Sequence, residues 1–164
     1  SKIHGYALKS GLVTGVSVGS SLLTMYSKCG CLEKSCKVFQ KLPVKDNVSW
    51  TSMISGFAEH GYADQALWLF KEMLYQEIVP DNITLISTLN ACSNLCFLKT
   101  GKEIHGYAFQ LGIGTDTVVG GALVIVNMYT KCGNLNLART VFDMLPQKDV
   151  FAALPWSWDM PKRV

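Results

Sequence analysis

The chain has 164 residues, of which 49% are hydrophobic and 16% charged, and its formal net charge is +3. That balance supports a buried core and excludes disorder for want of apolar residues, while apolar runs of no more than the five residues 122–126 exclude a membrane-spanning helix. A charge of +3 without a concentrated Lys/Arg run neither supports nor excludes a nucleic-acid partner.

In chain order, residues 1–15 read as the end of a helical element that begins earlier. They carry no basic segment followed by an apolar one, so a targeting peptide would lie outside this chain. Ile3-His4-Gly5-Tyr6-Ala7 returns 101 residues later as Ile104-His105-Gly106-Tyr107-Ala108. Met25-Tyr26-x-Lys28-Cys29-Gly30 returns 103 residues later as Met128-Tyr129-x-Lys131-Cys132-Gly133. A long internal period is the mark of stacked supersecondary repeats, so function belongs on a surface that several repeats share.

Four helix pairs follow, each read as joined by a Gly-containing turn and closed by Asp. They occupy 16–46, 47–81, 82–116 and 117–149, with lengths of 31, 35, 35 and 33 residues. In the second pair, Val48, Trp50, Met53, Ile54 and Phe57 recur on one helical face that ends near His60-Gly61. Ala66, Leu67, Leu69, Phe70, Met73 and Leu74 form the stripe of its partner helix, and Pro80-Asp81 stops the pair. The fourth pair carries two extra residues, placed by the spacing between Gly120 and Met128 within its first helix. Two residues turn a helix by about 200°, which would reverse the downstream face unless the helix bulged. Residues 150–164 read as a degenerate or truncated repeat.

Period-two alternation is absent over useful lengths, so the fold class is all-α: a right-handed α-solenoid superhelix of stacked helix–turn–helix repeats. Starting mid-repeat and without polar caps, the chain reads as a piece of a longer array. Six irregularly spaced cysteines predict reduced, buried thiols, which fits an intracellular compartment. His4 and His105 read as packing residues, and Tyr6, Tyr26, Phe57 and Tyr107 as core. No metal or cofactor is expected: Cys29-Gly30-Cys31 and Cys92-x-x-x-Cys96 lack zinc spacing, and no His-x-Glu precedes a Cys-x-x-Cys. A zinc deaminase needs both elements, so the chain is read as non-enzymatic. A periodic Asp, by itself, reads as a helix cap.

Val48-Ser49-Trp50-Thr51-Ser52-Met53-Ile54-Ser55-Gly56-Phe57, with Ala66-Leu67-x-Leu69-Phe70-x-x-Met73, resembles the ordinary repeat of plant pentatricopeptide repeat proteins. Leu89-Asn90-Ala91-Cys92 with Gly101-Lys102-x-Ile104-His105 is similar to the family's long repeat. Leu23-Thr24-Met25-Tyr26-Ser27-Lys28-Cys29-Gly30 and Met128-Tyr129-Thr130-Lys131-Cys132-Gly133 are similar to its short repeat, and the order is that of the PLS subclass.

The resemblance implies binding of single-stranded RNA in mitochondria or chloroplasts, as part of an RNA editing or processing factor, with any deaminase or editing cofactor supplied in trans. It implies neither a membrane nor a small-molecule substrate. In the family, the fifth and last residues of a repeat discriminate the base, and the second packs against it. Carried over, Thr51 and Asp81 form one reading pair with Val48 as packing residue, and Ser20 and Asp46 form a second with Ser17; both pairs resemble guanine readers. The third repeat would present Ile83, Ile86 and Asp116, and Ile86 cannot hydrogen-bond a base. The fourth would present Gly121 or Leu123, neither of which discriminates. Two other readings stay open: a protein–protein scaffold of tetratricopeptide type, and a folded but non-functional truncated repeat protein.

Overall fold

A computed structural model describes residues 16–112 and 119–144. Residues 1–15 with His4 and Tyr6, the closing Asp116 and Asp149, Thr117 and the tail 150–164 lie outside the described residues. Eight helices and no strands occur among the described residues. They are α1 (Val16–Lys28), α2 (Leu32–Lys41), α3 (Asn47–Glu59), α4 (Ala63–Tyr75), α5 (Asn82–Leu95), α6 (Leu98–Gln110), α7 (Val119–Lys131) and α8 (Leu135–Asp143). None is long and apolar enough to cross a membrane. The chain divides into two compact units, 1–91 and 92–164, with the division inside α5.

Within the first unit, α1 packs on α2 and α3, and α3 packs on α2 and α4. The core is built from Leu23, Met53, Ile54 and Met73, each fully buried. Every such side chain contributes about 2 kcal/mol relative to exposure. Phe39 meets Trp50 edge to face with centroids 4.9 Å apart, a geometry worth about 1 kcal/mol beyond the area it buries. The stripe read on α4 is buried from Ala66 to Met73, but Leu74 is exposed. On α3 the periodicity misplaces Val48: Trp50, Met53 and Ile54 are buried, whereas Val48 is 54% exposed. Phe57 is only half-buried.

Within the second unit, α7 packs on α6 and α8. The approach to α6 is tight, because a Cβ on Gly101 would stand 2.5 Å from Met128 Sδ. His105 on α6 lies edge to face on Tyr129, with Nδ1 2.9 Å from the phenolic oxygen. Burial holds the His105 pKa below its ordinary value and raises that of Tyr129. A neutral His105 and a protonated Tyr129 thus share one hydrogen bond, whose direction follows the imidazole tautomer.

One turn geometry recurs at helix ends. After α1, Gly30 N–H bonds Ser27 O and Cys31 N–H bonds Tyr26 O; after α3, Gly61 and Tyr62 repeat this on Ala58 and Phe57. These are Schellman caps, and Gly30 and Gly61 sit at φ +70 and +86. The turn after α5 makes the same two bonds, Cys96 N–H to Ser93 O and Phe97 N–H to Cys92 O, but with Cys96 at φ 54. The expectation of a glycine in every turn is thus corrected, since here the hydrogen bonds hold a cysteine in left-handed backbone.

Two further expectations change. The six cysteines are free thiols, but only Cys92 is buried; Cys29, Cys31 and Cys96 are exposed, because each lies at or just after a helix end. Burial first, with the nearby Cys132 and Glu103 adding to it, pushes the Cys92 thiol up to about 12. Nor do the extra residues of the fourth pair interrupt its helix, for α7 is continuous and has 13 residues, as α1 has. Its buried Ile125, Val126 and Tyr129 match Leu22, Leu23 and Tyr26 of α1 at the constant 103-residue displacement. The insertion therefore precedes this buried stripe, the face is not reversed, and Leu123 rather than Gly121 corresponds to Ser20.

Candidate functional site

The first helices of successive pairs, α1, α3 and α5, are joined in the first unit by paired hydroxyls. The fifth residue of α1 meets the third of α3, Ser20 Oγ lying 3.1 Å from Ser49 Oγ. The fifth residue of α3 meets the third of α5 in the same way, Thr51 Oγ1 lying 2.8 Å from Thr84 Oγ1. One turn further on, Thr24 meets Ser52 at 2.6 Å and Ser55 meets Ser87 at 2.8 Å. Short polar side chains one turn apart on each helix let the backbones approach while every buried hydroxyl here keeps a partner. Gly56 extends this close approach, since a Cβ there would lie 2.7 Å from Ser27 Cβ.

Asp46 and Asp81 end the connections into α3 and α5. Each caps the helix that follows: Ser49 N–H bonds Asp46 Oδ1 at 2.9 Å, and Thr84 N–H bonds Asp81 Oδ1 at 2.8 Å. Each also reaches back to the preceding first helix. Thr51 Oγ1 lies 3.1 Å from Asp81 Oδ2, and Ser20 Oγ lies 3.2 Å from Asp46 Oδ1. Capping and pairing are thus performed together, with different oxygens of Asp81. Burial alone would raise the Asp46 pKa, but hydrogen bonds from the Ser49 hydroxyl and amide and from Ser20 hold it below the usual carboxylate value.

A cleft of about 330 Å³ opens beside the second pair, lined by Thr24, Lys28, Val48, Thr51, Glu59, Asp81 and Ile83 among others. Val48 and Ile83, the second residues of α3 and α5, are 54% and 60% exposed in it. Exposed branched aliphatics at a cleft holding a hydroxyl and a carboxylate suit a flat, partly apolar ligand with hydrogen-bonding edges. Thr51, Asp81 and Val48, predicted together, are brought together. Ser20 and Asp46 are also joined, but Ser20 is only 4% exposed and does not line this cleft. Ser17 lies in the first turn of α1, its side chain outside those described. Ile86 is half-buried on α5. Sequence reasoning assigned Ile83 to the third repeat alone, and it missed Ser49 and Thr84 as partners of the predicted pairs. The available signal was a hydroxyl residue two positions into both α3 and α5.

Comparison with known families matches residues 20–46 to the PPR repeat and residues 45–94 to the PPR repeat family. The chain is a pentatricopeptide repeat protein. A chloroplastic pentatricopeptide repeat-containing protein of Arabidopsis thaliana is 55% identical over 148 residues, which cover 90% of this chain and 16% of that protein. A mitochondrial one from the same plant is 37% identical over 156 residues, covering 94% of this chain and 27% of its own length. The chain therefore spans well under a third of either relative. Among solved structures, it resembles the maize pentatricopeptide repeat protein PPR10 with a TM-score of 0.60 at 22% identity, over 83% of this chain and 20% of that one. The likeness to PPR10 in complex with an 18-nt psaJ RNA element has a TM-score of 0.65 at 23% identity, over 87% and 21%. At those identities the likeness establishes the fold, an α-solenoid of pentatricopeptide helix pairs.

Proposed function

We propose that this pentatricopeptide repeat segment binds single-stranded RNA, one base per repeat, as a non-catalytic part of an organellar RNA editing or processing factor of the PLS subclass. The observation that carries the reading is the Thr51–Asp81 pair in a cleft whose walls include the exposed Val48 and Ile83. A base placed between the two aliphatic walls meets the hydroxyl and the carboxylate with its edge. Guanine offers N–H donors on that edge, which suit a carboxylate that only accepts. PPR10 bound to an RNA element supports the ligand class, and the chloroplastic and mitochondrial relatives support an organellar setting.

In this reading the repeats are 16–46, 47–81, 82–116 and 117–149. The second reads guanine through Thr51 and Asp81, with Val48 packing on the base. Ser20 and Asp46, with Ser17, serve the first repeat in the same manner. Ile86 and Leu123 make the third and fourth repeats non-discriminating. Any deamination is supplied in trans. The experiment measures binding of the full chain to oligoribonucleotides differing at a single base. Wild type should prefer guanosine at one position, and Thr51→Asn should move that preference toward uridine; an unchanged preference overturns the mechanism.

A further inference from the structure

The Thr51 hydroxyl has one proton and three oxygen neighbours: Asn47 Oδ1 at 3.0 Å, Asp81 Oδ2 at 3.1 Å and Thr84 Oγ1 at 2.8 Å. An amide oxygen and a carboxylate only accept, so the Thr51 proton is drawn to one of them. Thr84 Oγ1 is fully buried, and Thr51 is the hydrogen-bond partner of its hydroxyl among the described residues. Leaving a buried hydroxyl proton unpaired is costly, so Thr84 donates to Thr51. The Thr51 oxygen then has its proton engaged by Asn47 or Asp81 and a lone pair taken by Thr84, so it can meet a base only as an acceptor.

We propose that Thr84 is a positioning residue for the base-reading pair: its buried hydroxyl donates to Thr51 and holds it as a hydrogen-bond acceptor beside Asp81, and so favours guanine, with adjacent N1–H and N2–H donors, over adenine, whose N6–H donor stands beside the N1 acceptor. This rests on the base-reading function proposed above and adds a residue from the next repeat to the Thr51–Asp81 site. The arrangement recurs at the other pair, where Ser49 stands two residues into the next first helix and 3.1 Å from Ser20 Oγ. Without the Thr84 hydroxyl, one direction around the Thr51 oxygen is vacated, and rotation of its proton off Asn47 or Asp81 lets Thr51 serve as donor or acceptor alike. Selectivity is then lost while packing on Val48 and Ile83 is retained.

The test compares wild type, Thr84→Val, Thr84→Ser and Thr51→Asn as full chains, titrated with oligoribonucleotides carrying guanosine or adenosine at the read position. Val has nearly the volume of Thr, so Thr84→Val should lower the guanosine-to-adenosine affinity ratio by about fivefold, the worth of one hydrogen bond. Affinity for a strand with an abasic site at that position should not change, and Thr84→Ser should restore the ratio. If Thr84→Val lowers the melting temperature, Thr84→Cys, a weak donor of similar size, should show the same loss of ratio. A full ratio in the Val and Cys variants, alongside a Thr51→Asn shift toward uridine, overturns the role of Thr84 and leaves base reading standing. No shift in Thr51→Asn overturns base reading itself, and the role of Thr84 with it.

Discussion

Gly56 of α3 and Ser27 of α1 approach so closely that a methyl group on the glycine would have to displace Ser27, whose own hydroxyl is held 2.7 Å from the buried Ser35 Oγ. Ser27 and Gly56 also line the cleft that contains Thr51 and Asp81. In an isolated helix Gly56→Ala would stabilise by about 1 kcal/mol. Overpacking of a fixed contact costs about 1–3 kcal/mol and should exceed that gain. Urea denaturation should therefore show Gly56→Ala less stable than wild type, and a more stable variant would mean that α1 and α3 separate freely.

The two oxygens of Asp81 make its two tasks separable by substitution. Asparagine caps helices about as well as aspartate, whereas loss of the cap costs about 1 kcal/mol. Asp81→Asn should keep the melting temperature within about a degree or two of wild type while weakening discrimination for guanosine, because an amide donor replaces a carboxylate acceptor. Asp81→Ala should lower both. Calorimetry and single-base RNA titrations on the same three proteins check this, and guanosine preference intact in the Asn variant would contradict it.

Acid should destabilise the second unit through His105. Burial lowers its folded pKa, so the unfolded chain binds the proton more readily. The contribution of His105 to stability is full above the unfolded value of about 6.5 and declines as pH falls toward the lower folded value. Once pH lies below both, the deficit is constant. Thermal melts between pH 7.5 and 5 should show this loss in wild type and a flatter profile in His105→Phe. Equal slopes in the two proteins would remove His105 as the cause.

Cys96 occupies a left-handed position that glycine adopts without strain. Cys96→Gly should stabilise the chain by about 1 kcal/mol, the scale of the steric penalty in that region. The change also removes a thiol that lies 3.5 Å from Lys131 O, a weak contact that does not offset the gain. A higher melting temperature under reducing conditions is the expected result, and a lower one would show that the Cys96 thiol outweighs the backbone strain.

Local chemistry is where the sequence was most legible. Gly30 and Gly61 stop their helices where the pattern ends, and Asp46 and Asp81 start the next ones, because caps and left-handed turns depend on single residues. Cys96 escaped because Schellman hydrogen bonds can hold a non-glycine residue in a glycine's place. Val48 shares the periodic face of Trp50, Met53 and Ile54, but hydrophobic periodicity cannot tell a face packed by a neighbour from a cleft wall. Counting residues does not say where the insertion near α7 is absorbed; the buried stripe does. The Thr51–Asp81 pair came from resemblance, since residues thirty apart have no spacing signal of their own. Thr84 stayed hidden because its role exists only when two successive first helices lie side by side.

The joint between first helices has a consequence for how such chains diversify. Apolar surfaces that interlock like a jigsaw tie each helix to one partner, and a change on one side demands a matching change on the other. A hydroxyl can rotate to meet another hydroxyl, and serine and threonine serve almost interchangeably. Ser20–Ser49 and Thr51–Thr84 use different residues for the same connection. The joint therefore works as a common coupling: a helix pair with hydroxyls at these places can be duplicated, deleted or transposed next to another without refitting either side. Base-contacting residues can then vary over a spine whose fastenings stay the same.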